Sequence, residues 1–220
     1  MLKPYDPLQP LFFTHVPKTG GVSIREIFGS WFGEKLYLHY PDPVSMPKRF
    51  PVGAGDCVYG HFNSVRGAGL LEYYPQATQC VVFLREPFAR TVSQWRYVMA
   101  RTPESDRVGL DRWLRERAEA GERDRRSFLC QFPKRLTSEN LDSVIRDYYV
   151  FVGVLERIQP GMAALARVLG KPAMPIAHLN RTEGDALLHS EFRLFHERHF
   201  ALEHEVYERC LAISARAIER

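Results

Sequence analysis

Lys18, Gly20, Gly21 and Ser23 fall within a few residues of one another, and that grouping has the composition of an anion-binding loop. Two glycines let the backbone close around an oxyanion, Lys18 supplies a point charge, and Thr19 and Ser23 supply hydroxyls. The order is not that of a nucleoside-triphosphatase, because GxxxxGK[ST] places Lys after its second Gly, whereas Lys18 precedes both. No strand-terminal Asp for Mg²⁺ accompanies it, since Asp56 precedes its strand. From composition alone, a Pro/Gly turn with an exposed lysine is an equal reading.

The elements around the loop tilt that balance. Pro10 to Val16 reads as a short strand, and Val22 to Phe32 carries Ile24, Ile27, Phe28 and Trp31 at helical spacing. An anion here would meet consecutive backbone N–H groups and the helix dipole. Gln79 to Leu84 is a continuous apolar run, as in a strand buried on both faces, and it delivers Arg85. Pro87 suits the first turn of a helix with the apolar stripe Phe88, Val92, Trp95 and Met99. Ser93 lies two turns along it, so Arg85 and Ser93 can grip one anion from two directions. Arg90, one turn from Glu86, reads as a helix salt bridge. Asp56 to Gly60 is a further strand and ends at His61, a natural base near neutral pH.

Tyr148 to Val154 reads as a buried strand, and Leu110 to Ala120, Asn140 to Asp147, Ile158 to Leu169 and the tail from Ser190 read as helices. Alternating strands and helices predict an α/β fold in three layers, P-loop-like, with a central, mainly parallel sheet flanked by helices. Pro41 to Pro51 reads as a surface loop. A chain of 220 residues with 45% apolar content fits a single domain, 1–220.

The formal charge of +4 suits an anionic ligand. Nucleic acid is disfavoured, because the Arg-rich stretch Arg115 to Arg126 is laced with acids and reads as a solvated helix and loop. Cys57, Cys80, Cys130 and Cys210 are scattered without metal-like spacing, so no metal is expected. His196, His199 and His204 have helical spacing but no acidic or Cys partners, and read as surface residues. The N-terminus lacks an apolar signal core, which makes a soluble, cytoplasmic, bacterial-type enzyme the expectation, although a chain trimmed of an anchor would look the same.

The string His15-Val-Pro-Lys-Thr-Gly-Gly-Val-Ser23 resembles the 5′-phosphosulfate loop of carbohydrate sulfotransferases, and Leu84-Arg-Glu-Pro-Phe-Ala-Arg-Thr-Val-Ser-Gln-Trp95 resembles their 3′-phosphate motif. Asp147 to Glu156 and Leu179 to Thr182 also look like segments of this family, nearest to the heparan and chondroitin 2-O-sulfotransferases and their small bacterial relatives. The resemblance implies 3′-phosphoadenosine 5′-phosphosulfate (PAPS) as donor and adenosine 3′,5′-bisphosphate (PAP) as product. It places Pro17, Lys18, Thr19, Gly20, Gly21, Val22, Ser23, Arg85, Ser93 and Arg181 at the donor. Because Tyr59-Gly-His-Phe62 looks like the family's base segment, it implies His61 as general base, with Lys18 on the leaving group. His15, His39, Glu26 and Glu34 remain as other candidates for the base. The acceptor would be a hydroxyl of a glycan, glycolipid or small metabolite, with Tyr37, Tyr40, Tyr73, Tyr74, Trp95 and Tyr97 available to stack on rings, although core packing is the commoner role. A nucleotide-dependent kinase and a non-catalytic nucleotide- or glycan-binding module are the competing readings.

Overall fold

The computed structural model describes residues 2–40, 48–176 and 187–219. Five parallel strands form one sheet in the order β2-β3-β1-β4-β5. They are β1 (Leu11–Thr14), β2 (Leu36–His39), β3 (Cys57–Gly60), β4 (Cys80–Leu84) and β5 (Tyr149–Val154). The helices are α1 (Gly21–Phe32), α2 (Leu70–Tyr73), α3 (Pro87–Met99), α4 (Leu110–Ala120), α5 (Leu141–Tyr148), α6 (Ile158–Leu169), α7 (Arg193–His199) and α8 (Ala201–Ile218). The α/β architecture expected from the alternating pattern is what the chain adopts.

Side-chain alternation along the strands builds a core on each face of the sheet. Leu11 and Phe13 of β1 join Ile24, Ile27 and Phe28 of α1 and Met162 and Leu165 of α6 on one face. Phe12 joins Val144 and Ile145 of α5 and Val206, Tyr207 and Cys210 of α8 on the other. β3, β4 and β5 are buried along their whole length, as parallel strands covered by helices must be. A third cluster, Phe88, Val92, Leu110, Trp113 and Leu114, joins α3 to α4, and Phe195 of α7 packs against it.

Strand β2 is the element that the sequence pattern does not announce. It is a four-residue edge strand, exposed at Leu38 and buried only at His39, so it has neither a continuous apolar run nor clean alternation. Its register aligns three strands in one row: Thr14 of β1 and His39 of β2 both pair with Gly60 of β3.

Three other expectations fail for one reason, a buried ionic cluster where α3, α4 and α8 meet. Arg90 does not pair with Glu86; it is 1% exposed and faces Glu203 of α8 at 3.7 Å. Arg117 is not solvated but fully buried, donating to Asp124 Oδ2 at 2.6 Å, Glu203 Oε1 at 2.7 Å and Thr91 Oγ1 at 2.7 Å. His196 is likewise buried, bonded through Nε2 to Thr91 Oγ1 at 3.0 Å and through Nδ1 to His204 Nε2 at 2.9 Å. Since Thr91 Oγ1 accepts from Arg117, its own proton points to His196 Nε2, which leaves Nδ1–H to donate to His204. That chain keeps His196 neutral, and burial with the nearby Arg117 lowers its pKa to about 2. Long-range charge pairing of this kind has no local periodicity to betray it. His199, by contrast, is exposed.

Candidate active site

The loop from His15 to Gly21 leaves β1 and enters α1. Lys18 has φ 74° and Gly20 has φ 80°, and Lys18 is the one non-glycine residue with positive φ among the described residues. A lysine held left-handed costs roughly 1–2 kcal/mol, and such strain persists where surrounding structure imposes it. Gly20 takes the same conformation without that cost. At Gly21 the constraint is space, because a Cβ there would fall on the His15 ring.

Helix α1 begins with no side-chain cap and no acidic residue in its first turn. The first N–H groups of a helix have no intrahelical acceptors, and at α1 they point where an anion can meet them. α3 differs, since Glu86 caps its own helix by accepting from Phe88 N and Ala89 N at 3.2 and 2.7 Å. The β1–α1 junction thus lacks the side-chain cap that closes the β4–α3 junction. Thr19 does not offer its hydroxyl to a ligand as expected: Oγ1 donates to Val16 O at 2.8 Å, tying the loop together. The side chain of Val22 is 63% exposed, and Ser23 and Pro17 are partly buried on the loop and first turn.

Positive charge converges on the loop. Lys18 Nζ lies 4.4 Å from the centre of the Tyr97 ring, and the Arg101 guanidinium lies 3.6 Å from that same ring. Burial, then Arg85 and Arg101, lowers the Lys18 pKa. A lysine depressed by burial and then by two arginines stands where an anion would relieve repulsion among cations. Ser93, on the same helix as Tyr97 and one turn before it, is 8% exposed.

The registered row Thr14, Gly60, His39 sets which side chains meet at the carboxyl ends of the strands. The next residue in each strand is His15, His61 and Tyr40, so parallel pairing brings these three together. His15 and His61 stack with ring centres 4.4 Å apart, and Tyr40 meets His61 edge-on at 4.9 Å. Tyr40 Oη bonds His15 Nδ1 at 2.9 Å. His61 Nδ1 lies 2.6 Å from His15 O. A carbonyl only accepts, so Nδ1 carries the proton and the Nε2 lone pair remains for a substrate proton. Burial lowers the His61 pKa, keeping the ring neutral, while burial and His61 push His15 down to about 3.

The other candidate bases separate cleanly. His39 is fully buried, stacked on Phe62 at 4.8 Å and bonded to Tyr74 Oη at 3.4 Å, which makes it part of the core. Glu34 is exposed at the amino end of β2, the opposite edge of the sheet, and Glu26 is exposed on α1. Sequence reasoning missed Arg25, which lies beside the Tyr40 hydroxyl, and named Tyr40 and Tyr97 only among the aromatics available to stack on acceptor rings. Arg181 lies outside the described residues, as do residues 41–47 of the expected surface loop.

Among the described residues no group of three His, Cys, Asp or Glu side chains could hold a metal ion. No described helix is long and apolar enough to cross a membrane. No family model and no curated protein matches the chain. Solved structures do match. Mouse sulfotransferase SULT7A1, complexed with PAP, aligns with 78% of this chain and 61% of its own, at 11% identity and TM-score 0.49. A sulfotransferase from Alicyclobacillus acidocaldarius aligns with 89% of this chain and 96% of its own, at 15% identity and TM-score 0.47.

Proposed function

We propose that the chain is a sulfotransferase that moves a sulfuryl group from PAPS to an acceptor hydroxyl, with His61 as base and Lys18 on the leaving group. One observation carries the reading: His61 is hydrogen-bonded to the anion loop itself, through the carbonyl of His15. Base and loop therefore form one rigid unit, and the bond that joins them also selects the tautomer a base needs.

The donor, when bound, supplies a sulfuryl group on a phosphate leaving group. The open N–H groups of α1 and the bent backbone of Lys18 to Gly20 suit its 5′-phosphosulfate, and Arg85 and Ser93 suit its 3′-phosphate. His61 Nε2 takes the proton of the acceptor hydroxyl as the new sulfur–oxygen bond forms. The Lys18 ammonium, already destabilised by burial and by Arg85 and Arg101, gains most when negative charge develops on the phosphate oxygen as the old bond breaks. The products are a sulfate ester and PAP. A glycan, glycolipid or small hydroxylated metabolite is the acceptor class that the sequence resemblance favours.

Calorimetry separates this from phosphoryl transfer. PAP should bind the protein far more tightly than ATP with Mg²⁺, and labelled sulfate should pass from PAPS to a hydroxyl in a screen of glycans, lipids and small metabolites. Tighter binding of ATP with Mg²⁺ would overturn the assignment. Donor binding with no transfer to any acceptor would favour a binding module.

A further inference from the structure

Beside the donor-facing side of α3 lies a cleft of about 480 Å³, lined by Trp95, Arg96, Met99, Ala100, Arg107 and His189. That volume lies within the usual range for small-molecule sites. Helical rotation sorts the residues of α3 into rows. Ser93 and Tyr97, one turn apart, share a row with Arg101, the side that meets Lys18. Trp95 and Met99 share another row, with Arg96 and Ala100 between the two. The cleft therefore lies on another face of the same helix, with Arg96 and Ala100 between its Trp95 and Met99 wall and the row that holds Tyr97.

Its walls are fixed in place. Trp95 Nε1 donates to Val108 O at 2.9 Å, and Val108 N donates back to Met99 Sδ at 3.2 Å. His189 meets the indole edge-on at 5.4 Å. Arg107 is anchored by Nε, which donates to Thr102 O at 3.1 Å, and it pairs with no carboxylate among the described residues. An indole, a thioether and a methyl make an apolar slot for a flat ring, and a guanidinium at its edge matches a carboxylate.

We infer that this cleft anchors the acceptor and takes an aromatic ring bearing a carboxylate. Its role as an acceptor subsite rests on the sulfuryl-transfer reading; its capacity to bind the acid does not. The apolar wall favours an aromatic acid over a sugar acid, whose ring would leave hydroxyls facing Met99 and Ala100.

The test uses 4-(hydroxymethyl)benzoate, which carries both the carboxylate and a transferable hydroxyl, against the neutral 4-methylbenzyl alcohol and a uronic-acid disaccharide. The acid should bind the full chain and shift the Trp95 indole N–H resonance, identified by its loss in Trp95→Leu. Arg107→Gln should weaken the acid about tenfold, the loss expected for one hydrogen bond to a charged group. Its PAP affinity should be unchanged. In transfer assays Arg107→Gln should raise KM for the acid without changing kcat. The inference is overturned if the neutral alcohol or the disaccharide binds better than the acid, if the Trp95 resonance does not move, or if Arg107→Gln binds the acid as the parent does. Should the acid bind with Arg107 dependence while PAP does not bind, the cleft stands as an acid site and the donor reading falls. PAP binding without acid binding gives the reverse.

Discussion

A base must be neutral to accept a proton, and burial at the end of β3 lowers the His61 pKa below the ordinary imidazole value. The acidic limb of the rate profile for PAPS-dependent transfer should therefore fall below pH 6.5, with activity retained above it and lost as His61 takes a proton. A limb at or above the ordinary value would remove His61 from the role. Replacing His61 by Ala should reduce kcat by about 10² or more, the usual worth of a positioned general base. PAP affinity should stay close to that of the parent, because the loop N–H groups and Arg85 remain. Transfer at the parent rate by the folded variant would refute the assignment. The residue types were legible from the start: Lys18 with its glycines, Arg85 and His61 stand at strand ends that periodicity reveals, and Ser93 stands two turns along the helix that follows Arg85. Tyr40 was not, since its meeting with His15 and His61 depends on the register of three strands, and register between distant segments leaves no mark on local spacing.

At the scale of elements, α8 is pinned to the body by charge as well as by apolar contact. Glu203 faces both Arg90 and Arg117, and all three side chains are almost wholly withdrawn from water. Removing one partner of such a group leaves charge buried without compensation. Glu203→Gln should therefore cost about 3 kcal/mol of stability, read as a lower urea midpoint. A change of only a few tenths of a kcal/mol would show that the cluster is hydrated or rearranges. Strong apolar periodicity made α1, α3, α4, α6 and four of the strands readable before any fold was known. Strand β2 escaped because it is short and at the edge. The ionic cluster escaped because its members lie on different helices, where each Arg and Glu looks like an ordinary solvated charge.

For the molecule as a whole, the buried neutral histidines set the response to acid. Burial lowers His39 to about 4, His15 to about 3 and His196 to about 2. Each folded value is below its unfolded one, so stability is fully present above about pH 6.5 and drains away as the pH falls toward the folded values, because the unfolded chain binds protons that the folded one refuses. The urea midpoint should thus be lower at pH 5.5 than at pH 7.5, a window above the range in which carboxylates titrate. Equal midpoints would mean that these rings stay solvated. The chain alone establishes the α/β class and the parallel sheet and raises the expectation of an anion loop, since each rests on neighbours within a dozen or so residues. The meeting of His15, Tyr40 and His61, the tautomer of His61, the approach of Arg101 and Tyr97 to Lys18, and the burial of Arg90, Arg117 and His196 were decided only by the folded packing. Each depends on residues far apart in sequence, whose pairing is set by strand register and by which helix faces meet, and neither is recorded in the spacing of residues along one segment.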